Sequence, residues 1–444
     1  MQLENKNITV IGMGRTGIAT ANFLAAKCAL VTLIDSKPRA ELEDTVRSLS
    51  PDVQTLFGCS EPPGSADLIV LSPGVDIHAP FLEKARKQGT EIISEIELAS
   101  RFTQTPIIAV TGTNGKSTVT TLIGKILERT GKKVAVGGNL GAPFIGLLDE
   151  EPVDYFVLEI STFQLEGVKT FRPNIAMILN ITPDHLDRHN TFEDYAALKG
   201  KISESQTEED ILILNSDDEN VLKQGTRSKA RKVFFSLLEK VNEGACLEND
   251  SVTVCSDQSK QNLVSVDGLQ PAMQYQIENV LAAVVATSLV GAKPDDIASA
   301  VYEFTGLEHR IEWVRTVRGI DFINDSKGTN VGSVHKSLTS FSRPVILIAG
   351  GKDKGEDFQA LKGIFKERVK HLILIGETKN KFRLMLNGSF SYEDAGNMED
   401  AIGRAMSKAK AGDVVLLSPG CASFDMFRDF VERGNRFKEI VNRL

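Results

Sequence analysis

Residues 106–121 read PIIAVTGTNGKSTVTT, and this stretch decides the fold class of the chain. The apolar residues 106–110 predict a buried strand, and the residues from Lys116 onward have the pattern of a helix. Between them, glycines let backbone N–H groups turn toward an anion, and the start of the helix adds its positive end. This order of strand, glycine-rich turn and helix predicts a nucleotide-binding α/β domain.

The turn is a short variant of the phosphate-binding loop. The common G-x-x-x-x-G-K-[ST] pattern is missed because Val110 stands where its first glycine would be. We expect Lys116 to neutralise the β- and γ-phosphates and the hydroxyl of Ser117 to bind Mg²⁺. The alternative is a tight turn with an incidental lysine, and the order of the elements favours nucleotide binding. The residues predicted to bind ATP here are Gly112, Thr113, Asn114, Gly115, Lys116, Ser117 and Thr118.

Outward from this loop, short apolar runs alternate with amphipathic stretches, which predicts βαβ units with parallel sheets. A length of 444 residues corresponds to about three domains of roughly 150 residues. The predicted fold class is α/β, with a Rossmann-like domain at 1–96, a central P-loop ATPase-like domain with a parallel sheet at 97–306, and a Rossmann-like α/β domain at 307–444. Helices are predicted at 116–130, 192–203, 277–290 and 425–438, and a β-rich insert at 232–267.

Composition excludes several classes of protein. Charged residues make up 25% of the chain and hydrophobic residues 41%, which is typical of a globular protein and not of a disordered one. The net charge of −8 argues against a nucleic-acid-coating protein. The five cysteines form no C-x-x-C pair, and the N-terminus has no apolar core like that of a secretory signal. We therefore expect a cytoplasmic protein without membrane insertion.

In the central domain, polar residues follow two predicted strands. Glu159 ends DYFVLEI, and His185 lies in TPDHLDR just after NIAMILN. Ligands in open α/β sheets gather at the carboxyl ends of strands, where a carboxylate and an imidazole could hold a metal ion bridging phosphates. Taken singly, Glu159 could be a salt-bridged strand end and His185 a helix cap. Their shared position beside one phosphate loop favours the metal site.

The N-terminal domain begins with a second glycine-rich loop. A strand leads into Gly12-x-Gly14-x-x-Gly17, and Asp35 ends the next strand, as in dinucleotide-binding folds. NAD is the default interpretation, but no other residue pattern indicates redox chemistry. The same geometry, with the loop at 72–75, would hold the diphosphate or base of a UDP-sugar. A Rossmann-like scaffold without a ligand is the remaining alternative.

The C-terminal domain has three polar clusters at the ends of predicted strands. They are DSKGTN at 325–330, GGKDK at 350–354 and SPGCASFD at 418–425. Lysines and hydroxyl groups at neighbouring strand ends form a cationic, donor-rich pocket. Such a pocket suits a small carboxylate substrate and a developing phosphate charge.

Motifs along the whole chain resemble those of the Mur ligases: TGTNGKST, LEISTFQLE, NITPDHLDRH, LNSDD, FTGLEHR, INDSKGTN, AGGKDKG and SPGCASFDMF. The phosphate loop and DHLDRH are shared with the wider amide ligase family, which includes folylpolyglutamate synthases. INDSKGTN and SPGCASFDMF are the narrower signals of the branch that adds D-glutamate. The resemblance implies ATP- and Mg²⁺-dependent ligation of D-glutamate to UDP-N-acetylmuramoyl-L-alanine through an acyl phosphate, in peptidoglycan precursor synthesis. A monomer with only small-molecule partners is expected.

The resemblance also implies roles for individual residues. Lys116, His185 and Lys199 would serve catalysis, with Ser117, Glu159, His185 and Lys199 at the metal. Lys199 matches the lysine that the family carbamylates, and its CO₂ adduct would be an anion able to bind Mg²⁺, whereas an ammonium would repel it. Further ATP contacts would be Asn279, Arg310 and Asp325. The UDP substrate would meet Arg15, Thr16, Asp35, Ser36, Gly74, Asn139, Ser161 and Gln164. D-Glutamate would meet Lys327, Thr329, Lys354, Ser423 and Phe430.

One departure from the family motif and three alternative functions stay open at this point. The family usually has His-Asn where this chain has Tyr275-Gln276. The closest alternative is another ligase of the Mur and folylpolyglutamate synthase family, although the N-terminal unit and the DSKGTN loop argue against the folate enzyme. A nucleotide-switched binding module would bind ATP without amino-acid-dependent phosphate release. An NAD dehydrogenase is the third alternative.

Overall fold

The computed structural model of the protein describes residues 2–149, 152–185, 188–189, 191–256, 259–355, 357–388 and 390–444. Leu186 and Asp187 of the DHLDRH motif lie outside the described residues. The chain contains three β-sheets and divides into two compact units. The first unit comprises Met1–Ile181, His185–Val264 and Glu278–Val301, and the second comprises Thr182–Asp184, Ser265–Ile277 and Tyr302–Leu444.

The N-terminal sheet is parallel and has the strand order β3-β2-β1-β4-β5. The strands are β1 (Asn7–Ile11), β2 (Leu30–Asp35), β3 (Gln54–Phe57), β4 (Leu68–Leu71) and β5 (Glu91–Ser94), and the helices are α1 (Arg15–Ala26), α2 (Arg39–Leu42), α3 (Glu83–Lys87) and α4 (Glu95–Ser100). From β1, the sheet continues with β2 and β3 on one side and with β4 and β5 on the other. The loop after β1 therefore lies at the switch point where open α/β sheets bind ligands.

The central sheet has nine strands in the order β14-β13-β12-β11-β10-β9-β6-β8-β7. The strands are β6 (Ile107–Thr111), β7 (Val134–Gly138), β8 (Tyr155–Glu159), β9 (Ile175–Ile178), β10 (Ile211–Asn215), β11 (Arg231–Ser236), β12 (Gly244–Glu248), β13 (Ser251–Ser256) and β14 (Ser259–Ser265). The helices are α5 (Lys116–Arg129), α6 (Phe144–Leu147), α7 (Thr162–Leu165), α8 (Phe192–Gly200), α9 (Glu219–Gly225), α10 (Pro271–Gln274), α11 (Ile277–Leu289) and α12 (Pro294–Glu303). Every residue of β6 is buried, as expected for a parallel strand covered on both faces. The predicted β-rich insert is confirmed, since it forms β11 to β14.

The C-terminal sheet has the order β15-β16-β20-β17-β18-β19, in which only the β15–β16 pair is antiparallel. The strands are β15 (Glu312–Val317), β16 (Ile320–Asn324), β17 (Val345–Ala349), β18 (Val369–Leu374), β19 (Tyr392–Asp394) and β20 (Val414–Leu417), and the helices are α13 (Val331–Thr339), α14 (Lys362–Arg368), α15 (Lys379–Leu386), α16 (Met398–Lys408) and α17 (Phe430–Val441). Separate apolar clusters pack on the two faces of this sheet.

The predicted α/β class is therefore confirmed, while the domain boundaries at 96 and 306 stay predictions. The helix predicted at 425–438 is displaced in the structure, where α17 comprises Phe430–Val441. The side chain of Asp429 accepts a hydrogen bond from the backbone N–H of Glu432, so it caps the helix at that point. All five cysteines are free thiols. Every helix among the described residues is too short or too polar to span a bilayer.

Two buried carboxylates of α4 connect the N-terminal and central sheets within the first unit. Glu97 accepts hydrogen bonds from the backbone N–H groups of residues 169–171. Glu95 accepts one from the N–H of Ile145 at 2.6 Å, while its other oxygen is buried and has no hydrogen-bond partner among the described residues. Burial raises the pKa of Glu95 to about 7, although the backbone N–H groups of Ile145 and Phe144 oppose the rise. An unpaired charge at this place is costly.

Glu95→Gln is expected to stabilise the protein above pH 7. A carboxyl whose folded pKa is raised holds its proton longer in the folded state, so its ionisation lowers the free energy of unfolding as pH rises from about 4.5 to about 7. This loss amounts to about 3 kcal/mol. Urea titrations at pH 5 and pH 8 should show the variant gaining stability over wild type only at pH 8. An equal difference at both pH values would contradict this, and Glu41→Gln, at an exposed site, is the matched control.

Candidate active site

The phosphate loop joins β6 to α5. Gly115 caps α5 with a φ of 85°, a left-handed conformation that favours glycine. The Nζ of Lys116 donates hydrogen bonds to the carbonyls of Gly112 at 2.8 Å and Thr113 at 2.9 Å. The ammonium therefore lies over its own loop at a helix N-terminus, where an anion is favoured.

Residues outside the loop hold its backbone. The side chain of Asn180, just beyond β9, accepts a hydrogen bond from the N–H of Asn114 at 2.8 Å and donates to its carbonyl at 3.1 Å. The backbone carbonyl of Asn180 accepts from the N–H of Thr113 at 2.9 Å. The hydroxyl groups of Thr113 and Tyr195 are 3.0 Å apart. These contacts fix the loop before any ligand binds.

Glu159 lies at the end of β8, beside the phosphate loop. One carboxylate oxygen accepts a hydrogen bond from the hydroxyl of Ser117 at 2.5 Å, and the other accepts from the side-chain amide of Asn139 at 2.7 Å. Glu159 is only 3% exposed. The structure thus brings Ser117, Glu159 and Asn139 together at the end of β8.

These oxygen atoms suit a divalent cation that also binds phosphate. Mg²⁺ usually takes one or two protein carboxylates and completes its coordination with phosphates and water. Within the described part of the chain, no group of three or more His, Cys, Asp or Glu side chains could hold a metal ion. The oxygen atoms of Ser117 and Glu159 fit a metal ion that also binds the nucleotide.

Lys199, on α8, points at the same loop. Its Nζ donates a hydrogen bond to the carbonyl of Gly112 at 2.7 Å, and the side chain is 2% exposed. The Nζ also lies 4.6 Å from the ring centroid of Tyr195. A lysine that reads in the sequence as a solvated helix residue is thus buried against the phosphate loop.

His185 has a different environment. It is exposed, with a φ of 53°, and its ring meets that of Phe163 edge-on at 5.1 Å between centroids. The Phe163 ring also stacks on His189 at 5.5 Å and lies under Arg188 at 5.6 Å. Phe163 therefore fixes the position of His185 from one side.

The residues predicted to lie near the adenine belong to both units. An added Cβ on Gly115 would lie 2.3 Å from Oδ1 of Asn279, so Asn279 packs against the phosphate loop. Tyr275 and Gln276, the departure from the family pattern, bond within the second unit. The guanidinium of Arg343 donates to the hydroxyl of Tyr275 at 2.6 Å, and Nε2 of Gln276 donates to the carbonyl of Ala272 at 3.2 Å.

In the N-terminal loop, Asp35 and Gly12 make close contacts with neighbouring residues. The carboxylate of Asp35 accepts hydrogen bonds from the backbone N–H groups of Met13 at 2.7 Å and Lys37 at 2.9 Å. Gly12 has a φ of 98°, and an added Cβ would lie 2.9 Å from Cβ of Ser72. Asp35 therefore fixes the loop backbone. Of the residues predicted in this domain to bind the UDP substrate, Asp35 and Thr16 are half-buried, and Arg15, Ser36 and Gly74 are exposed.

Ser161 and Gln164 bond to each other. They form a capping box at the N-terminus of α7, in which the N–H of Ser161 donates to Oε1 of Gln164 at 2.9 Å. Gln164 is buried, whereas Ser161 is partly accessible. The pair orders the loop that follows Glu159.

In the second unit, Asp325 follows β16 and is fully buried. Its carboxylate accepts hydrogen bonds from the hydroxyls of Ser337 at 2.6 Å and Ser418 at 2.8 Å. Burial raises the pKa of Asp325 to about 6, against the effect of these hydroxyls. An added Cβ on Gly328 would lie 2.5 Å from this carboxylate, so the DSKGTN turn requires glycine there.

The predicted D-glutamate residues surround the same strand ends. The Nζ of Lys327 lies 3.9 Å from the ring centroid of Phe430, which begins α17. Ser423 is buried, Thr329 is half-buried and Lys354 is exposed. Arg310 is half-buried beside His309.

Family models match three consecutive regions of the chain. The Mur ligase MurD-like N-terminal domain matches residues 6–94, the Mur ligase middle domain matches 110–287, and the Mur ligase glutamate ligase domain matches 309–421. The chain belongs to the Mur ligase family. Mur ligases are ATP-dependent, typically Mg²⁺-dependent enzymes that form amide bonds.

Curated Mur ligases align with this chain over its full length. It is 44% identical to the UDP-N-acetylmuramoylalanine–D-glutamate ligases of Koribacter versatilis and Geotalea uraniireducens, covering 100% of this chain and 99% of each relative. The identity to the enzyme of that name from Alkaliphilus metalliredigens is 38%, over the same shares of both chains.

Solved Mur ligase structures share the fold at lower identity. A pseudomurein peptide ligase type C from Methanothermus fervidus has a TM-score of 0.62 and 20% identity, covering 99% of this chain and 100% of that one. A MurF ligase from Thermotoga maritima in complex with ADP has a TM-score of 0.60 and 15% identity, covering 93% and 95%. These structures support the Mur ligase fold alone.

Three residues that contact the phosphate loop or the strand-end loops of the second unit received no role from the sequence. Asn180 ends a predicted strand, which was a usable signal. Tyr195 reads as an ordinary helix residue, and its hydroxyl contact with Thr113 depends on tertiary packing. Arg433 reads as a solvated charge on an amphipathic helix, but it is 1% exposed.

Proposed function

We propose that this protein ligates D-glutamate to UDP-N-acetylmuramoyl-L-alanine at the expense of ATP, in peptidoglycan precursor synthesis. The observation that carries the proposal is the 44% identity, over the full length, to two relatives that bear this activity in their names. The phosphate loop, the Ser117–Glu159 pair and the lysine-bearing strand ends of the second unit are the geometry this reaction needs.

ATP would bind with its phosphates at the loop of residues 112–118. The backbone N–H groups and the N-terminus of α5 attract the phosphates. Lys116 would leave the carbonyls of Gly112 and Thr113 and bond to the β- and γ-phosphate oxygens. Asn279 would approach the adenine, and Arg310 and Asp325 would make the further ATP contacts.

Ser117, Glu159 and His185 would hold Mg²⁺, with Lys199 as a carbamate. The ion would neutralise charge on the transferred phosphoryl group. The support for this assignment is the closeness of Ser117 and Glu159 and the burial of Lys199 at Gly112. Asn139 would keep the Glu159 carboxylate in place through its hydrogen bond.

The charge of Lys199 gives the reason to propose its carbamylation. A buried ammonium beside a cation site would repel the metal, whereas a carbamate would bind it. The neutral amine of Lys199 would attack the carbon of CO₂, a new N–C bond would form, and the proton would pass to solvent. The product is an anion of the kind that Mg²⁺ prefers.

The UDP substrate would lie along the first unit. Arg15, Thr16, Ser36 and Gly74, at the exposed mouth of the N-terminal sheet, would meet the uridine diphosphate. Asp35 would act with them by fixing the backbone at Met13. Asn139, Ser161 and Gln164 would lie along the muramoyl-alanine arm.

The reaction would form the amide in two steps. The L-alanyl carboxylate attacks the γ-phosphorus of ATP, the bond to the β-phosphate oxygen breaks, and ADP leaves. The D-glutamate amine then attacks the carbonyl carbon of the acyl phosphate, and phosphate leaves as the amine loses a proton. The protein contributes mainly position and charge neutralisation.

D-Glutamate would be held by Lys327, Thr329, Lys354, Ser423 and Phe430. Replacing Lys354 by methionine is expected to raise the KM for D-glutamate by about tenfold, because a charge-assisted contact to a carboxylate is lost. The KM for ATP should not change. Lys366→Met, an exposed lysine on α14, is the matched control. Unaltered D-glutamate kinetics would remove Lys354 from the pocket.

The decisive assay measures phosphate release with UDP-N-acetylmuramoyl-L-alanine and ATP. D-Glutamate should stimulate release, and L-glutamate should not. Stimulation by another amino acid would assign the chain to a different Mur ligase activity. ATP binding without any amino-acid-dependent release would favour a nucleotide-switched module.

We further propose that the enzyme works in the cytoplasm as a monomer. Its five free thiols suit a reducing compartment. Size-exclusion chromatography with light scattering should give the mass of one chain, 48.4 kDa. A mass of two or more chains would contradict the monomer.

A further inference from the structure

Arg433 is a buried cation that the proposed reaction does not use. It lies on α17, one turn after Phe430, and is 1% exposed. Within the described part of the chain, no carboxylate forms an ion pair with it. Its partners are a hydroxyl and three backbone carbonyls, which is an unusual environment for a guanidinium.

The guanidinium of Arg433 bonds to two strand-end loops at once. Nε donates to the hydroxyl of Ser326 at 3.0 Å, and Nη2 donates to the Ser326 carbonyl at 2.8 Å. Nη1 donates to the carbonyls of Cys421 at 3.1 Å and Ala422 at 3.2 Å. Ser326 lies directly before Lys327, and Ala422 directly before Ser423. The side chain therefore joins the loop after β16 to the loop after β20.

Neighbouring contacts connect a third loop and α17 to the same point. An added Cβ on Gly351 would lie 3.3 Å from Nη1 of Arg433, and the N–H of Lys352 donates to the carbonyl of Ala422 at 2.9 Å. The hydroxyl of Ser326 donates to the carbonyl of Phe430 at 2.7 Å. The loops after β16, β17 and β20, which carry the lysines and hydroxyl groups, thus meet around the guanidinium of Arg433.

The positive charge and the planar shape of the Arg433 guanidinium both matter for these contacts. Burial lowers the pKa of Arg433 to about 10, so the side chain remains a cation at neutral pH. Its planar fork can serve acceptors on both loops at once, which a lysine ammonium of similar charge cannot do with the same geometry. A buried positive charge also favours anions nearby, and Asp425 and Asp325 already act on Arg433 in this way.

We propose that Arg433 is the positioning residue for amino-acid binding: it fixes the loops that carry Lys327 and Ser423 so that they form one pocket for the dicarboxylate. This inference rests on the proposed function for the identity of the amino acid. Arg433 would touch no substrate and would act through the backbones of the two loops.

The test is Arg433→Lys, which keeps the charge but cannot span both loops. The KM for D-glutamate should rise by about 10- to 100-fold, because small displacements of positioning groups have effects of this size. The KM for ATP and for the UDP substrate should stay within about twofold of wild type. Arg433→Ala should recover part of its D-glutamate affinity when guanidinium is added at millimolar concentration. Arg436→Lys, one turn further along α17, half-buried and paired with Glu439, keeps its charge outside the two loops and should behave as wild type.

Hydrogen exchange provides a readout that does not depend on the substrate. In Arg433→Lys, the amides of residues 326–328 and 421–423 should exchange faster than in wild type, while those of β17 should not. Unchanged D-glutamate KM in an active variant, or unchanged exchange in these two loops, would overturn the inference. A wild-type protein that releases no phosphate with D-glutamate would instead refute the proposed function, and the exchange data would still decide whether Arg433 holds the loops.

Discussion

Replacing Lys116 by alanine is expected to lower D-glutamate-dependent phosphate release by about 10³-fold or more. Phosphoryl transfer depends on neutralising charge on the phosphate oxygens, and removal of one well-placed cation has an effect of this order. The Nζ of Lys116 lies 2.8 Å from the carbonyl of Gly112, at the N-terminus of α5. Steady-state phosphate release and product formation measure the loss.

Lys125→Ala is the control for this change. Lys125 lies on the same helix but is exposed, so its removal should leave turnover unchanged. Thermal unfolding of both variants, measured beside wild type, separates a loss of turnover from a loss of folding. Near-normal turnover of Lys116→Ala would refute the role of the phosphate loop in the reaction.

The second large effect is expected at Lys199. Lys199→Ala should lose about 10²- to 10³-fold in turnover, since ligands of the nucleotide metal have effects of this order. A short carboxylic acid such as acetate or formate should restore part of the activity. The truncated side chain leaves space beside Gly112, and the added carboxylate would supply the anion that the proposed carbamate would carry.

Lys201→Ala is the matched control, because its Nζ bonds only weakly to the carbonyl of Glu166 at 3.4 Å. It should stay active and should not respond to the acid. Two results for Lys199→Ala would discard the carbamate: unchanged activity, or a loss that no carboxylic acid relieves. The second result would leave Lys199 as a support of the phosphate loop through Gly112.

Much of the fold could be predicted from the sequence because its strands are continuous apolar runs. The residues of β1, β6 and β17 are almost all buried, and parallel strands covered on both faces leave that pattern. The phosphate loop was predictable for a related reason. Its lysine, its glycines and the strand before it are neighbours in sequence, so their chemistry is local.

Contacts between distant residues could not be predicted in this way. Ser161 and Gln164 carry a local signal, yet only the structure reveals that they bond to each other as a capping box. Asp35 has the position of a ribose-binding acid, but its oxygens accept from the N–H groups of Met13 and Lys37. Arg433 lies about 107 residues from Ser326 in sequence, and no pattern along α17 indicates that this one charge is buried.

The central claim is that ATP activates the L-alanyl carboxylate for attack by D-glutamate. The most direct measurement supplies UDP-N-acetylmuramoyl-L-alanine labelled with ¹⁸O in that carboxylate, together with ATP and D-glutamate, and analyses both products by mass spectrometry. We expect an amide-linked D-glutamyl product and one labelled oxygen in the released phosphate. No amide product, or phosphate whose new oxygen comes only from water, would contradict it.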